Sequence, residues 1–285
     1  MLVDCHTHIF AYPGHLSDEF VKEANSRSRD RPLDLNVTPE RHWPALQGVD
    51  KAIVFGLRAA HSGISVPNEY VAEYANSHPQ KLIGFAGVDP LVDRIPETLE
   101  QAMRMGLQGV KLGPIYQNLH PCDPRMLDIY AFCQANNLPI MIHQGTTFLT
   151  RAPLKYAPPI LLEEVALQFP ALKMVIAHLG HPWISETLVL IRKQPNLYSD
   201  ISALHYRPWQ FYNALITAKE YGVLDKLLFG SDYPFTTPEA TIDALRAFNK
   251  VIEGTRLPRL EPHEIELLIE SPTLTCLGLG SGDSA

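Results

Sequence analysis

Eight short apolar runs begin near residues 2, 51, 81, 109, 139, 173, 196 and 226, and this spacing limits the fold more than any other feature of the chain. The runs are Leu2–His6, Lys51–Gly56, Leu82–Val88, Gly109–Gly113, Pro139–His143, Lys173–His178, Asn196–Asp200 and Lys226–Gly230. They lack the polar alternation of a half-exposed strand and so read as parallel strands covered on both faces. Helix signals fill the gaps. Thr38-Pro39-Glu40 supplies an N-cap, a proline at the first helical position and an early acid. Further helices are expected over Asn68–Ser77, Ile95–Met105, Arg125–Ala135, Ile160–Gln168, Ser185–Lys193, Pro208–Tyr221 and Pro238–Lys250, and a last one over Glu261–Leu277. A βα unit of roughly 30 residues repeated eight times is what a (β/α)8 TIM barrel requires. The competing doubly wound sheet would place a glycine-rich phosphate turn after its first strand, where this chain has His6-Thr7-His8.

The expected organisation is one α/β domain over residues 1–279, with a rim insertion from Phe10 to Val37 rich in arginine (Arg27, Arg29, Arg31) and a frayed tail at 280–285. A formal charge of −7 without a basic tract excludes a nucleic-acid surface. No apolar run approaches a membrane span, and no basic segment precedes an apolar one at the N-terminus as in a secretory leader. Cys5, Cys122, Cys133 and Cys276 form no CxxC pair, which reads as reduced thiols in a cytoplasmic protein. Alternation points Cys5 away from its histidine neighbours, toward packing. The expected partners are a small-molecule substrate and, at most, a second copy of the chain.

In a barrel, side chains at the C-terminal ends of the strands converge above the mouth. Here those are His6 and His8 on the first strand, Lys111 on the fourth, His143 on the fifth, His178 on the sixth and Asp232 after the eighth. His6 and His8 are two residues apart and share a strand face. Each residue alone could be a hydrogen-bonded polar group. Together, three imidazoles and a carboxylate suit a catalytic zinc with an open position, and a closed barrel sets the eighth strand beside the first. Other rim candidates are Arg151, Tyr156, His181, Trp183, His205, Tyr206 and Arg207. Arg151 and Arg207 could fork a substrate carboxylate or simply be solvated. Trp183 could wall the pocket or pack at a helix start.

The sequence resembles the amidohydrolase superfamily, in the branch of small metal-dependent barrels that includes aminocarboxymuconate semialdehyde decarboxylase. The resemblance lies in Val3-Asp4-Cys5-His6-Thr7-His8, Gly109-Val110-Lys111-Leu112-Gly113-Pro114, Ile140-Met141-Ile142-His143, Ile176-Ala177-His178-Leu179-Gly180 and Leu228-Phe229-Gly230-Ser231-Asp232-Tyr233-Pro234. These motifs run in order from residue 2 to about 235, and they are specific for the branch rather than the reaction. The resemblance implies His6, His8 and His143 as ligands of one divalent metal, most naturally zinc. It implies Asp232 as the residue that touches the metal and takes a proton from its water. His178 follows as a proton-handling residue or a second-metal ligand. A binuclear site bridged by a carboxylated Lys111 is the alternative. An uncarboxylated Lys111, repelled by a dication, is expected to point aside and bind a substrate carboxylate or structure the rim. The expected activity is hydrolysis of an amide, ester or lactone in a small, carboxylated substrate. Non-oxidative decarboxylation on the same scaffold is the first alternative, and an inactive ligand-binding barrel the second.

Overall fold

The computed structural model describes residues 1–26 and 32–279; Arg27, Arg29 and Arg31 of the insertion and the tail at 280–285 lie outside the described residues. Eight strands form one parallel sheet: β1 (Val3–His8), β2 (Lys51–Phe55), β3 (Leu82–Gly87), β4 (Val110–Leu112), β5 (Ile140–Ile142), β6 (Met174–Ile176), β7 (Leu197–Asp200) and β8 (Leu227–Leu228). Each pairs with the next in sequence, as the spacing predicts. Closure is made by the residues that follow β8. Cys5 N–H donates to Phe229 O at 2.9 Å, Asp232 N–H to His6 O at 2.7 Å and His8 N–H to Tyr233 O at 3.0 Å. Gly230 permits this close approach, since a Cβ there would stand 3.0 Å from His6 Cβ and 3.3 Å from Ser202 Cβ.

Ile53, Phe55, Ile83, Phe85, Met141, Val175 and Leu228 fill the barrel. Their alternate neighbours Ala52, Val54, Val110, Leu112, Ile140 and Ile142 pack outward into the clusters beneath the helices. This two-sided burial explains why the strands lack polar alternation. Cys5 departs from the alternation argument, because the register of β1 on β2 shifts between Asp4 and Thr7. Cys5 consequently joins the barrel-filling cluster, although its role is still packing.

The expected last helix is two. Pro262–Ile269 ends before Pro272, and Thr273–Leu277 starts after it. Proline disfavours helical backbone in the residue before it and cannot donate to the preceding turn. Pro238–Lys250 likewise splits, into an α-helix over Pro238–Arg246 and a 3-10 segment over Phe248–Ile252. The insertion is rooted by reciprocal backbone bonds between Phe10 and Val37 (3.0 and 2.9 Å) and carries a helix over Asp18–Ser26. That helix rests on the loop after β5. Phe20 meets the Phe148 ring at 5.4 Å, Thr150 N–H donates to Glu23 at 2.6 Å, and Arg151 pairs with Glu19. Among the described residues no helix is long and apolar enough to cross a membrane.

Candidate active site

The chain after each barrel strand turns at the same rim, and there the predicted polar residues meet. His6 Nε2 and His8 Nε2 are 3.2 Å apart. Asp232 Oδ1 lies 3.4 Å from the first and 3.2 Å from the second. Ligands held roughly 2.0–2.2 Å from a tetrahedral zinc are about 3.3–3.6 Å from one another. The three atoms therefore have the mutual spacing of one face of such a site. On the other side of the carboxylate, Asp232 Oδ2 faces His178 Nε2 at 4.0 Å. His6, His178 and Asp232 also form a group whose ligand atoms all fall within 4.8 Å of one another.

Backbone geometry aims two of these side chains. His178 (φ 55°) and Asp232 (φ 63°) both occupy the left-handed region, which costs a residue with a Cβ about 1–2 kcal/mol. The surroundings hold them there. Asp232 N–H is bound to His6 O, and His178 N–H donates to Asp200 Oδ1 at 3.0 Å. Asp4, fully buried, ties the segments together: its Oδ1 accepts from His6 N–H at 3.1 Å and from Ser231 N–H at 2.9 Å.

Three expectations need correction. Lys111 does not point aside. It is 1 % exposed, its Nζ donates to His6 Nε2 at 3.3 Å and lies 4.5 Å from the centroid of the Phe55 ring. Burial lowers its pKa to about 8, against the opposing attraction of Asp200 and Asp232. A lysine this close to losing its proton escapes the repulsion argument, which assumed a permanent ammonium. Arg151 is not a free fork either, since its guanidinium pairs with Glu19 and donates to His61 O at 3.2 Å. His143 is also differently disposed. Its Nε2 donates to Thr146 O at 3.0 Å, and its ring stands 5.2 Å from that of His178 and 4.9 Å from that of Tyr116. Only Nδ1 of His143 remains for ligation.

The remaining rim residues are distributed along the loops. Arg207 donates to Ala203 O at 3.0 Å and stacks on Tyr206 at 4.5 Å. His181 is half-buried, its pKa lowered to about 4 by burial and by Arg207 and His178, and its carbonyl accepts from Thr146 N–H at 2.8 Å. Trp183 caps the helix Ile184–Lys193 and packs on the cluster that includes Leu149 and Ala152. His205 shares a hydrogen bond with Thr236 at 3.2 Å, and Tyr156 O accepts from Gln144 at 2.6 Å.

Two residues that the sequence reading passed over belong to the site's surroundings. Asp200, at the end of β7, is fully buried with Oδ2 2.8 Å from His6 Nδ1. Burial alone raises its pKa, but His6, His178 and Ser202 outweigh that and hold the carboxyl ionised. Its position at a strand C-terminus was the available signal. His42, on the helix Pro39–Ala45, is fully buried, shares a hydrogen bond with the Tyr74 hydroxyl at 3.0 Å and packs on Tyr233 at 5.5 Å. Burial, with a smaller push from His8, drops its pKa to about 3.

Asp232 itself is pushed upward by burial, against the pull of His178, His6 and Lys111. The arrangement thus joins a preformed set of ligand atoms, a carboxylate with raised proton affinity and an imidazole beyond it. Such a set can hold a divalent cation and accept a proton from a nucleophile beside it.

No curated protein matches the chain. Among solved structures, a probable 2-pyrone-4,6-dicarboxylic acid hydrolase from Acinetobacter baumannii aligns at 21% identity with a TM-score of 0.67, covering 98% of this chain and 99% of that one. An amidohydrolase from Burkholderia multivorans with bound zinc aligns at 14% identity and a TM-score of 0.66, covering 98% and 100%. A 2,6-dihydroxybenzoate decarboxylase, bound to 2,6-dihydroxybenzoate, aligns at 15% identity and a TM-score of 0.67 over the same shares. These similarities show the TIM-barrel fold. The sequence model of the amidohydrolase family matches residues 3–259, from the first strand to beyond the last, and the chain belongs to that family.

Proposed function

We propose that the protein is a hydrolase acting on an amide, ester or lactone of a small carboxylated substrate, with one divalent metal, zinc, held by His6, His8 and Asp232. The observation that carries this reading is the double engagement of Asp232, whose Oδ1 meets both histidine nitrogens while Oδ2 faces His178. A zinc ion held there would supply Lewis-acid polarisation of the scissile carbonyl and of a water molecule. Asp232 accepts the proton of the attacking water, a role favoured by its raised pKa. His178 is the next station for that proton and returns it to the leaving group. Lys111 and Arg207 remain to attract a substrate carboxylate, and with Lys111 as a free amine the site takes one metal; a second would require its carbamate.

Decarboxylation is the second reading. It is favoured by a specific observation, the buried Nζ of Lys111 3.3 Å from His6 Nε2, and by the likeness to a named decarboxylase. Against it, Arg151 is engaged by Glu19. The test is to load the protein with zinc and present lactones, esters, amides and aromatic carboxylic acids, following acid release and carbon dioxide separately. Acid release without carbon dioxide, abolished in Asp232→Asn, is expected. Carbon dioxide release alone would replace the hydrolase reading with the decarboxylase one.

A further inference from the structure

The geometry points to Asp200 as the residue that sets the tautomers of both His6 and His178, so that each presents an unprotonated Nε2 to the site. This inference rests on the proposed roles of His6 as a ligand and His178 as a proton carrier, and it assigns what makes them competent. A neutral imidazole bears one proton on two nitrogens, and only the bare nitrogen can ligate a metal or accept a proton.

For neutral rings the hydrogen bonds leave one solution. Asp200 Oδ1 accepts from His178 N–H at 3.0 Å, from Ser202 N–H at 3.0 Å and from the Ser202 hydroxyl. Its Oδ2 is the partner of His6 Nδ1 at 2.8 Å. An ionised carboxylate only accepts, so the His6 proton sits on Nδ1 and Nε2 is bare. The same carboxylate reaches His178 through a relay. Because the Ser202 hydroxyl spends its proton on Asp200, Ser202 Oγ can only accept from His178 Nδ1, 2.7 Å away. His178 therefore also carries its proton on Nδ1, with Nε2 bare toward Asp232. Asp200 and Ser202 are positioning residues; neither faces the ligand atoms.

An asparagine at 200 would preserve shape and reverse this logic. The place of Oδ1, with three donors directed at it, can only be filled by the amide oxygen. The amide NH2 then faces His6 Nδ1, which must accept. The His6 proton moves to Nε2, where it blocks ligation. A carboxylate-to-amide exchange beside a functional histidine is known to disable it through the wrong tautomer, and loss of a partner behind a metal-bound histidine lowers affinity about 10–100-fold.

The experiment uses the full chain with 15N-labelled histidine, stripped of metal, and long-range 1H–15N NMR to read each ring's tautomer. His6 and His178 are expected as Nδ1–H forms in the wild type. Finding either as Nε2–H overturns the inference, whatever the variants do. In Asp200→Asn, His6 is expected as the Nε2–H form, with zinc affinity, measured by chelator competition, lowered at least 10-fold. In Ser202→Ala, His6 and zinc affinity are expected to stay as in the wild type, while His178 loses its fixed tautomer and the pH profile of turnover shifts. Wild-type zinc affinity in Asp200→Asn, or an unchanged His178 in Ser202→Ala, would refute it. A wild type that takes up no zinc would instead defeat the proposed function and leave the tautomer result to be judged on its own.

Discussion

Replacing His42 by glutamine should flatten the acid dependence of stability by one proton. His42 is fully buried between Tyr74 and Tyr233, and its pKa drops from 6.5 to about 3, chiefly through burial. A histidine whose native pKa is depressed contributes stability that is complete above the unfolded pKa and is lost as pH falls below it. Between pH 7 and pH 5 the unfolded chain takes up this proton and the native chain does not. At ~1.4 kcal/mol per pH unit below 6.5, the loss attributable to His42 is about 2 kcal/mol. The figure depends only on the native pKa lying well under 5. Glutamine keeps a polar group within reach of the Tyr74 hydroxyl and has no proton to gain. The assay is urea unfolding of metal-free protein at both pH values, wild type beside His42→Gln. Taking the difference between the two proteins cancels the other buried histidines, which titrate in both. The wild type should lose about 2 kcal/mol more than the variant. Equal losses would mean that His42 is protonated in the native state or reachable by water, and the reasoning would fail.

Gly230→Ala should destabilise the protein by about 1–3 kcal/mol in the same unfolding assay, because the added methyl is driven against His6 and Ser202 Cβ atoms that cannot retreat. A neutral result would show that the closure has slack. Arg151→Ala should change stability by no more than about 0.5 kcal/mol, its pair with Glu19 being exposed. It should also leave KM for a carboxylated substrate unchanged, and a large rise in KM would restore Arg151 as a substrate grip.

The barrel was legible because strands buried on both faces announce themselves as continuous apolar runs, and eight of them at nearly constant spacing leave few topologies. The hairpin Arg58–Ala59 with Ile64–Ser65 was not, since two-residue strands have no period to detect. The convergence of His6, His8, His178 and Asp232 followed from the strand-end rule. The same rule applied to Asp200, but one acid at a strand end looks like any other until its neighbours are known. Lys111 was misdirected for a related reason. A sequence shows a lysine as a charge, whereas the depth of its burial decides whether it keeps that charge. His143, just past β5, was named a ligand on the family resemblance, and the direction of its ring follows from the carbonyl of Thr146, a loop contact with no signature in the sequence.

The closing seam between β1 and the residues after β8 has a consequence for how the protein is made. Asp4 and Ser231, bonded across it, are 227 residues apart in the chain. At roughly 5–20 residues per second, translation takes about 10–50 s to travel from one to the other. Throughout that interval His6 and His8 are without Asp232, and a nascent chain that has not passed Asp232 holds an incomplete set of the proposed donors. Capture of a cation by that proposed set would thereby be deferred to the last step of assembly. An ion that binds only the finished barrel then favours the closed ring over every open form by mass action, fastening the beginning of the polypeptide to its end.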